Sequence, residues 1–192
     1  MPWRVNKRIS ALVLCGGILG LLGSPSPSFA VSRLYFSPAN NLEAIDIGIL
    51  SQATRSVDIA MYAFTDRPIA ETLLKLARKG VVIRLYRDGT QLRDKNDVTS
   101  LLQGQPGIHI RVKPSHFWNI QHLKGYVVDG VALREGSANW SPAGLGAACF
   151  RGSCGRAQQQ DNDLFVTDNP ALVRVFEDNF NHIWQRADNR RP

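Results

Sequence analysis

Residues 122–139, HLKGYVVDGVALREGSAN, are the stretch whose reading decides how this chain folds. Asp129-Gly130 is a two-residue turn signal between runs of apolar and β-branched residues, so 122–128 and 131–135 read as two paired strands. Side chains two apart on a strand share a face, which sets His122 beside Lys124. Ser137 and Asn139 are again two apart, and Gly136 before them lets the backbone come close. Asp129 lies seven residues from His122, so parity turns it to the other face. It reads as structural, capping the turn or pairing with a nearby base.

Upstream, residues 31–36 suggest a short strand, and Leu42, Ile45 and Ile49 repeat at helical spacing after a cap at Asn40 or Asn41. Residues 57–64, VDIAMYAF, read as a buried strand. A helix follows, capped by Thr65 or Asp66, with Pro68 in its first turn and Ile69, Leu73 and Leu76 or Ala77 inward. Gly80 stops it, residues 81–86 form the next strand, 97–102 a short helix and 108–112 another strand. Downstream come a strand at 163–167 and a last helix opened by Asp168 or Asn169, with Leu172, Phe176, Phe180 and Ile183 or Trp184 inside. Strands alternating with amphipathic helices, then a run of strands, then a helix, predict an α/β fold: a mixed sheet with helices on both faces. There is no internal repeat.

The polar residues of 122–139 suit attack on a phosphodiester. An imidazole at His122 supplies the nucleophile, and the Lys124 ammonium neutralises the non-bridging oxygens that would repel it. Ser137 and Asn139 add neutral hydrogen-bond donors. A His-x-Lys pair alone is better read as the polar face of a half-exposed strand; the full string with its Gly-Ser-x-Asn turn is far more specific.

That string resembles the signature of the phospholipase D superfamily, H-x-K-x4-D-x6-G-S-x-N, at His122, Lys124, Asp129, Gly136, Ser137 and Asn139. Residues 56–88 are similar to the N-terminal half of the small Nuc-type bacterial endonucleases. The resemblance implies an α-β-α sandwich and an acidic residue downstream that orients the histidine. Asp161 is chosen over Asp163 for that role, although the small endonucleases usually carry glutamate there. A second departure is the longer loop 141–160. The resemblance also implies a homodimer. His122 of one subunit attacks to give a phosphohistidine, while the second His122 protonates the leaving group and then activates water. His109, His116 and His182 lie outside the motif.

Phe117 and Trp118, with the basic loop residues Arg87, Arg93 and Lys95, are candidates to flank the cleft and hold a nucleic-acid strand. The alternatives are a small satellite core for the aromatics and a solvated surface for the bases, since Asp88, Asp94 and Asp97 are interleaved. No carboxylate or histidine cluster near the motif has metal-ligand spacing, and Lys124 would repel a cation, so no metal or other cofactor is expected.

The start of the chain reads as a secretory signal: Arg4, Lys7 and Arg8, an apolar run at 11–22, and small residues at Ser28 and Ala30. Glycines at 16, 17, 20 and 23 interrupt the run, which argues against an uncleaved anchor. Cleavage after Ala30 leaves one domain, residues 31–192, and lowers the net charge from +7 to +4 because three bases leave and no acid does. That excess suits a polyanionic partner without proving one. Cys149 and Cys154 remain, an even pair that reads as a disulfide in an oxidising compartment. The expectation is a periplasmic or secreted endonuclease acting on DNA or RNA, with no stable membrane association once the leader is gone. The rival readings are a lipid phosphodiesterase and a non-catalytic nucleic-acid-binding module.

Overall fold

A computed structural model describes residues 30–152, 155 and 159–192. The leader at 1–29 and Cys154 fall outside the described residues, so the expectations placed on them stay expectations.

Seven strands form one sheet in the order β1-β7-β6-β5-β2-β3-β4. They are β1 (Ser32–Ser37), β2 (Ser56–Met61), β3 (Val82–Asp88), β4 (Ile108–Lys113), β5 (Lys124–Val128), β6 (Ala132–Glu135) and β7 (Asn162–Thr167). β2, β3 and β4 run parallel, whereas β5, β6, β7 and β1 pair antiparallel. The mixed pattern follows from the connections. A helix crosses over between β2 and β3, as parallel strands require, and a tight turn joins β5 to β6. The helices are α1 (Leu42–Leu50), α2 (Arg67–Arg78), a single turn α3 (Ala147–Phe150) and α4 (Pro170–Trp184).

Helices cover both faces, as expected. Ile59, Met61, Ile83, Leu85 and Tyr126 meet Leu42, Leu50, Ile69 and Leu73 of α1 and α2 in the larger core. On the opposite face Ala60, Tyr86, Val127 and Leu133 pack against Val173, Phe176 and Phe180 of α4. Strand residues buried on both sides explain why β2 and β5 read as near-continuous apolar runs rather than alternating ones. The caps are Asn41, Asp66 and Asn169, each accepting a hydrogen bond from the first turn of its helix. In α4 the inward residue is Val173, while Leu172 stays exposed.

One helix face differs from the expectation. In α1 the fully buried positions are Leu42, Asp46 and Leu50, with Ile45 and Ile49 only partly buried beside them. Asp46 goes inward because it accepts hydrogen bonds from the Tyr126 hydroxyl, Trp140 Nε1 and the Arg134 guanidinium. Arg134 also donates to the carbonyls of Lys124 and Ala138. This buried network locks β5, β6 and the 136–140 turn to α1, directly beneath the motif residues. Such a buried charged pair is tolerated because the carboxylate and the guanidinium both find several hydrogen-bond partners.

Candidate active site

His122 sits two residues before β5 and is exposed, while Lys124 at the strand's start is buried. Lys124 Nζ lies 3.2 Å from His122 Nε2 and donates to the His122 carbonyl at 2.8 Å. The two side chains meet, although the strand expected from 122 begins only at Lys124. Tyr62, just past β2, meets the His122 ring edge-on at 4.6 Å between centroids and lies 5.4 Å from the Lys124 ammonium. Strand register explains the meeting, because Met61 pairs with Lys124.

The Gly-Ser-x-Asn turn is fixed to the same place. Asn139 accepts from the Ala63 amide at 3.1 Å, and the Trp140 amide donates to the Ala63 carbonyl. The carbonyl of Trp140 in turn receives the amides of Thr65 and Asp66. This zipper holds the segment after β2 against residues 139–140, so Asn139, Tyr62, His122 and Lys124 converge from two chain segments. Gly136 has a φ of 150°, and a Cβ there would lie 2.4 Å from the Asp163 carbonyl oxygen. A side chain is excluded by the approach of β7 as well as by the backbone conformation.

Electrostatics favour a neutral imidazole. Partial desolvation, then the positive Lys124, lower the His122 pKa below its usual 6.5, against a smaller pull from Asp88. Burial likewise lowers Lys124, with Glu135 opposing. Burial raises Glu135, whose carboxylate also accepts from the Gly136 amide. Burial alone would raise Asp88, but hydrogen bonds from Ser115, Thr90 and the Gln121 amide outweigh it and hold its pKa low. Asp88 ends β3, and its grip on Gln121 positions the residue that precedes His122.

The two downstream aspartates differ in setting. Asp163 accepts from the Ser137 amide at 3.0 Å, and its own amide donates to Ser137 Oγ at 2.9 Å. Asp161 is exposed beside Ser137 in a shallow pocket and makes no side-chain hydrogen bond among the described residues. The carboxylate whose field reaches His122 is Asp88. Asp129 accepts from the amides of Thr54, Arg55 and Ser56 and from the Thr54 hydroxyl, tying the β5–β6 turn to the start of β2.

Arg87 does not face a cleft. It is fully buried, ion-paired with Asp97 and donating to Thr99 and to the carbonyls of Met61 and Tyr62. As an inward residue of β3 it supports Tyr62 from below and cannot reach a nucleic-acid strand. Arg93 and Lys95 are exposed. Phe117 and Trp118 are 88% and 96% exposed, so they are no satellite core. They stand on a turn closed by His116 and Asn119, in which Phe117 has a φ of 47°. Cys149 lies in α3, but its expected partner Cys154 is outside the described residues. Among the described residues no three His, Cys, Asp or Glu side chains are grouped to hold a metal.

Tyr62, Asp88, Glu135 and the Asp46–Arg134 pair were not among the residues expected from sequence. Asp88 carried a usable signal, since sites in open α/β sheets gather at the carboxyl ends of parallel strands. Tyr62 carried none, because an aromatic after a buried strand is ordinarily core.

With this geometry in place the comparisons are specific. Residues 47–184 match the family model described as cardiolipin synthase, PLD-like domain, and the chain belongs to this phospholipase D-like family. Its fold is that of Nuc from Salmonella typhimurium, a phospholipase D family member, with a TM-score of 0.70 at 21% identity. That match covers 85% of this chain and all of the other. NucT from Helicobacter pylori also gives 0.70, at 20% identity, over 82% and 97% of the two chains. Among curated proteins, the mitochondrial cardiolipin hydrolase of Danio rerio is 28% identical over 142 residues, covering 72% of this chain and 55% of the relative. The Drosophila melanogaster protein of that name is 25% identical over 156 residues, 71% and 56% of the two. The chain thus spans about half the length of the curated relatives it matches.

Proposed function

We propose that this chain is a metal-independent phosphodiesterase that hydrolyses nucleic acid, DNA or RNA, through a phosphohistidine at His122. The observation that carries the reading is the His122 imidazole held 3.2 Å from Lys124 Nζ, where burial and that cation both lower its pKa. His122 attacks phosphorus, Lys124 and Asn139 take the charge developing on the non-bridging oxygens, and the P–O bond to the leaving oxygen breaks. A second His122, supplied by a two-fold partner, protonates that oxygen and then draws a proton from the water that releases the histidine. Arg93, Lys95, Phe117 and Trp118 flank the path of the strand. The reading further places the protein outside the cytoplasm, with its leader removed after Ala30 and Cys149 bonded to Cys154.

A second reading has support of its own. The curated relatives are named cardiolipin hydrolases, and two large aromatics stand in solvent close in sequence to His122. A lipid phosphodiester is therefore the alternative substrate. Purified protein is incubated in excess EDTA with supercoiled plasmid, with a labelled RNA and with cardiolipin vesicles. Nicking or RNA cleavage without lipid turnover supports the first reading. Phosphatidic acid release with intact nucleic acids would replace it with the second.

A further inference from the structure

A groove of about 730 Å³ lies along the edge strand β4, lined by Arg84, His109, Arg111, Trp184 and Arg191. A second hollow of about 340 Å³ shares Arg111 and Arg191 with it and adds Arg186 and Arg190. No Asp or Glu lines either one among the described residues. Arg84 is neutralised by Asp58, but none of the other four arginines forms an ion pair among the described residues.

These bases are held on a frame. Arg190 exchanges both backbone hydrogen bonds with Val112, and Gln103 donates to the Pro192 carbonyl. Asn189 bonds the Tyr86 hydroxyl and the carbonyls of Ile183 and Trp184. Arg111 stacks 5.0 Å over Trp184 and bonds its carbonyl. Alternation along β4 puts His109, Arg111 and Lys113 on one face, spanning roughly 13 Å. Lys113 is in register with Asp88, which grips the residue before His122. The basic stripe therefore runs from the groove toward the catalytic end of the sheet.

We infer that this groove is a second binding site, a track for the phosphate backbone of the nucleic-acid strand being cut at His122. The inference rests on the proposed nuclease function and adds where the strand continues. Four arginines without an ion pair among the described residues, in a lining with no Asp or Glu, suit phosphate oxygens better than any neutral ligand, because the guanidinium fork matches them bidentately. Backbone contacts of this kind strengthen binding without reading sequence.

The test reverses charge at Arg190→Glu/Arg191→Glu, both exposed, beside a control of equal charge change, Arg33→Glu/Arg174→Glu, on β1 and α4. Binding of a fluorescein-labelled single-stranded 20-mer is followed by anisotropy across a salt series. Turnover of bis(4-nitrophenyl) phosphate reports the reacting centre alone. The groove variant should bind the 20-mer at least tenfold more weakly, with the salt slope reduced by about 1.4. The control should change little, and small-substrate turnover should be unchanged in both. Unchanged 20-mer affinity, or an equal loss in the control, would overturn the track. So would loss of binding to phosphatidylglycerol vesicles with the 20-mer unaffected, which would make the groove a membrane contact. If no protein turns over the small substrate, the nuclease reading fails while the binding comparison still decides the groove. Matching thermal melts establish folding, and Arg191→Gln alone replaces any variant that melts early.

Discussion

His122 and Asp129 belong to one motif but carry opposite tasks, and their surroundings separate them. His122 is exposed, poorly solvated on one side and faced by a cation, so its pKa falls and the free base is available near neutrality. We predict that His122→Ala lowers phosphodiester turnover by at least about a thousandfold, since no other base stands in its place. The rate of the native protein should be bell-shaped in pH. Its acid limb should lie below the usual histidine value of 6.5, where the nucleophile becomes protonated, and its alkaline limb where the partner imidazole loses its proton. A stopped assay across pH checks both; a monotonic profile would remove the two-histidine scheme. Asp129 is different. Burial would raise its pKa, but the amides of Ser56, Thr54 and Arg55 and the Thr54 hydroxyl overcome that and lower it from 3.8 to about 2. A depressed carboxylate contributes stability that is fully present above 3.8 and lost as pH falls through about 2. Asp129→Asn should therefore cost about 2 kcal/mol at neutral pH while leaving the His122 chemistry intact. Denaturant melts should show the gap to the native protein closing as pH falls through that window. The structural task of Asp129 at its turn was legible in the sequence from the Asp129-Gly130 signal. Arg87 was not, because a charged residue at a strand end next to a polar loop gives no hint that four acceptors await it inside.

Elements were legible where hydrophobic periodicity and capping chemistry agree. The helix opened by Asp66 with Pro68 in its first turn, and the Asp129-Gly130 hairpin, both emerge as the pattern predicted. The face of α1 did not, because counting apolar residues assigns an aspartate to solvent. Asp46 is instead the acceptor for three side chains on β5, β6 and the turn after β6. Asp46→Ala leaves Arg134 charged and buried without its counterion, which should cost about 3–5 kcal/mol. A lower Tm with unchanged secondary structure at low temperature would match; a variant as stable as the parent would mean that Arg134 is held by the carbonyls alone. At the other edge of the site, the β6–β7 junction separates two candidates that sequence proximity could not. Asp163 is bonded to Ser137 and Asp161 to nothing described. Asp163→Ala should therefore lower turnover more than Asp161→Ala, and steady-state rates on one short substrate will rank them. The reverse ranking would restore Asp161 as the orienting acid.

At the scale of the molecule, one chain presents His122, the proposed nucleophile, with no second imidazole converging on it among the described residues. His109 lies on β4 in the basic groove, His116 on the aromatic turn, and His182 is exposed on α4. On the proposed reading, a two-fold partner supplies the acid. Wild-type and His122→Ala chains co-expressed equally and pairing at random should retain roughly a quarter of the activity, against about a half if each chain completes its own site. The sequence carried the sheet, the helices and the motif, because those depend on local pattern. It could not carry the groove beside β4, which arises only when distant segments meet.

The central claim is that phosphorus becomes bonded to His122. Native protein mixed with a labelled oligonucleotide, quenched in alkali within milliseconds and digested, should yield the peptide containing His122 with a phosphoryl-nucleotide adduct. That adduct should survive base, decay in acid and be missing from His122→Ala. A burst of product with no adduct on any peptide, or an adduct on another residue, would contradict the account.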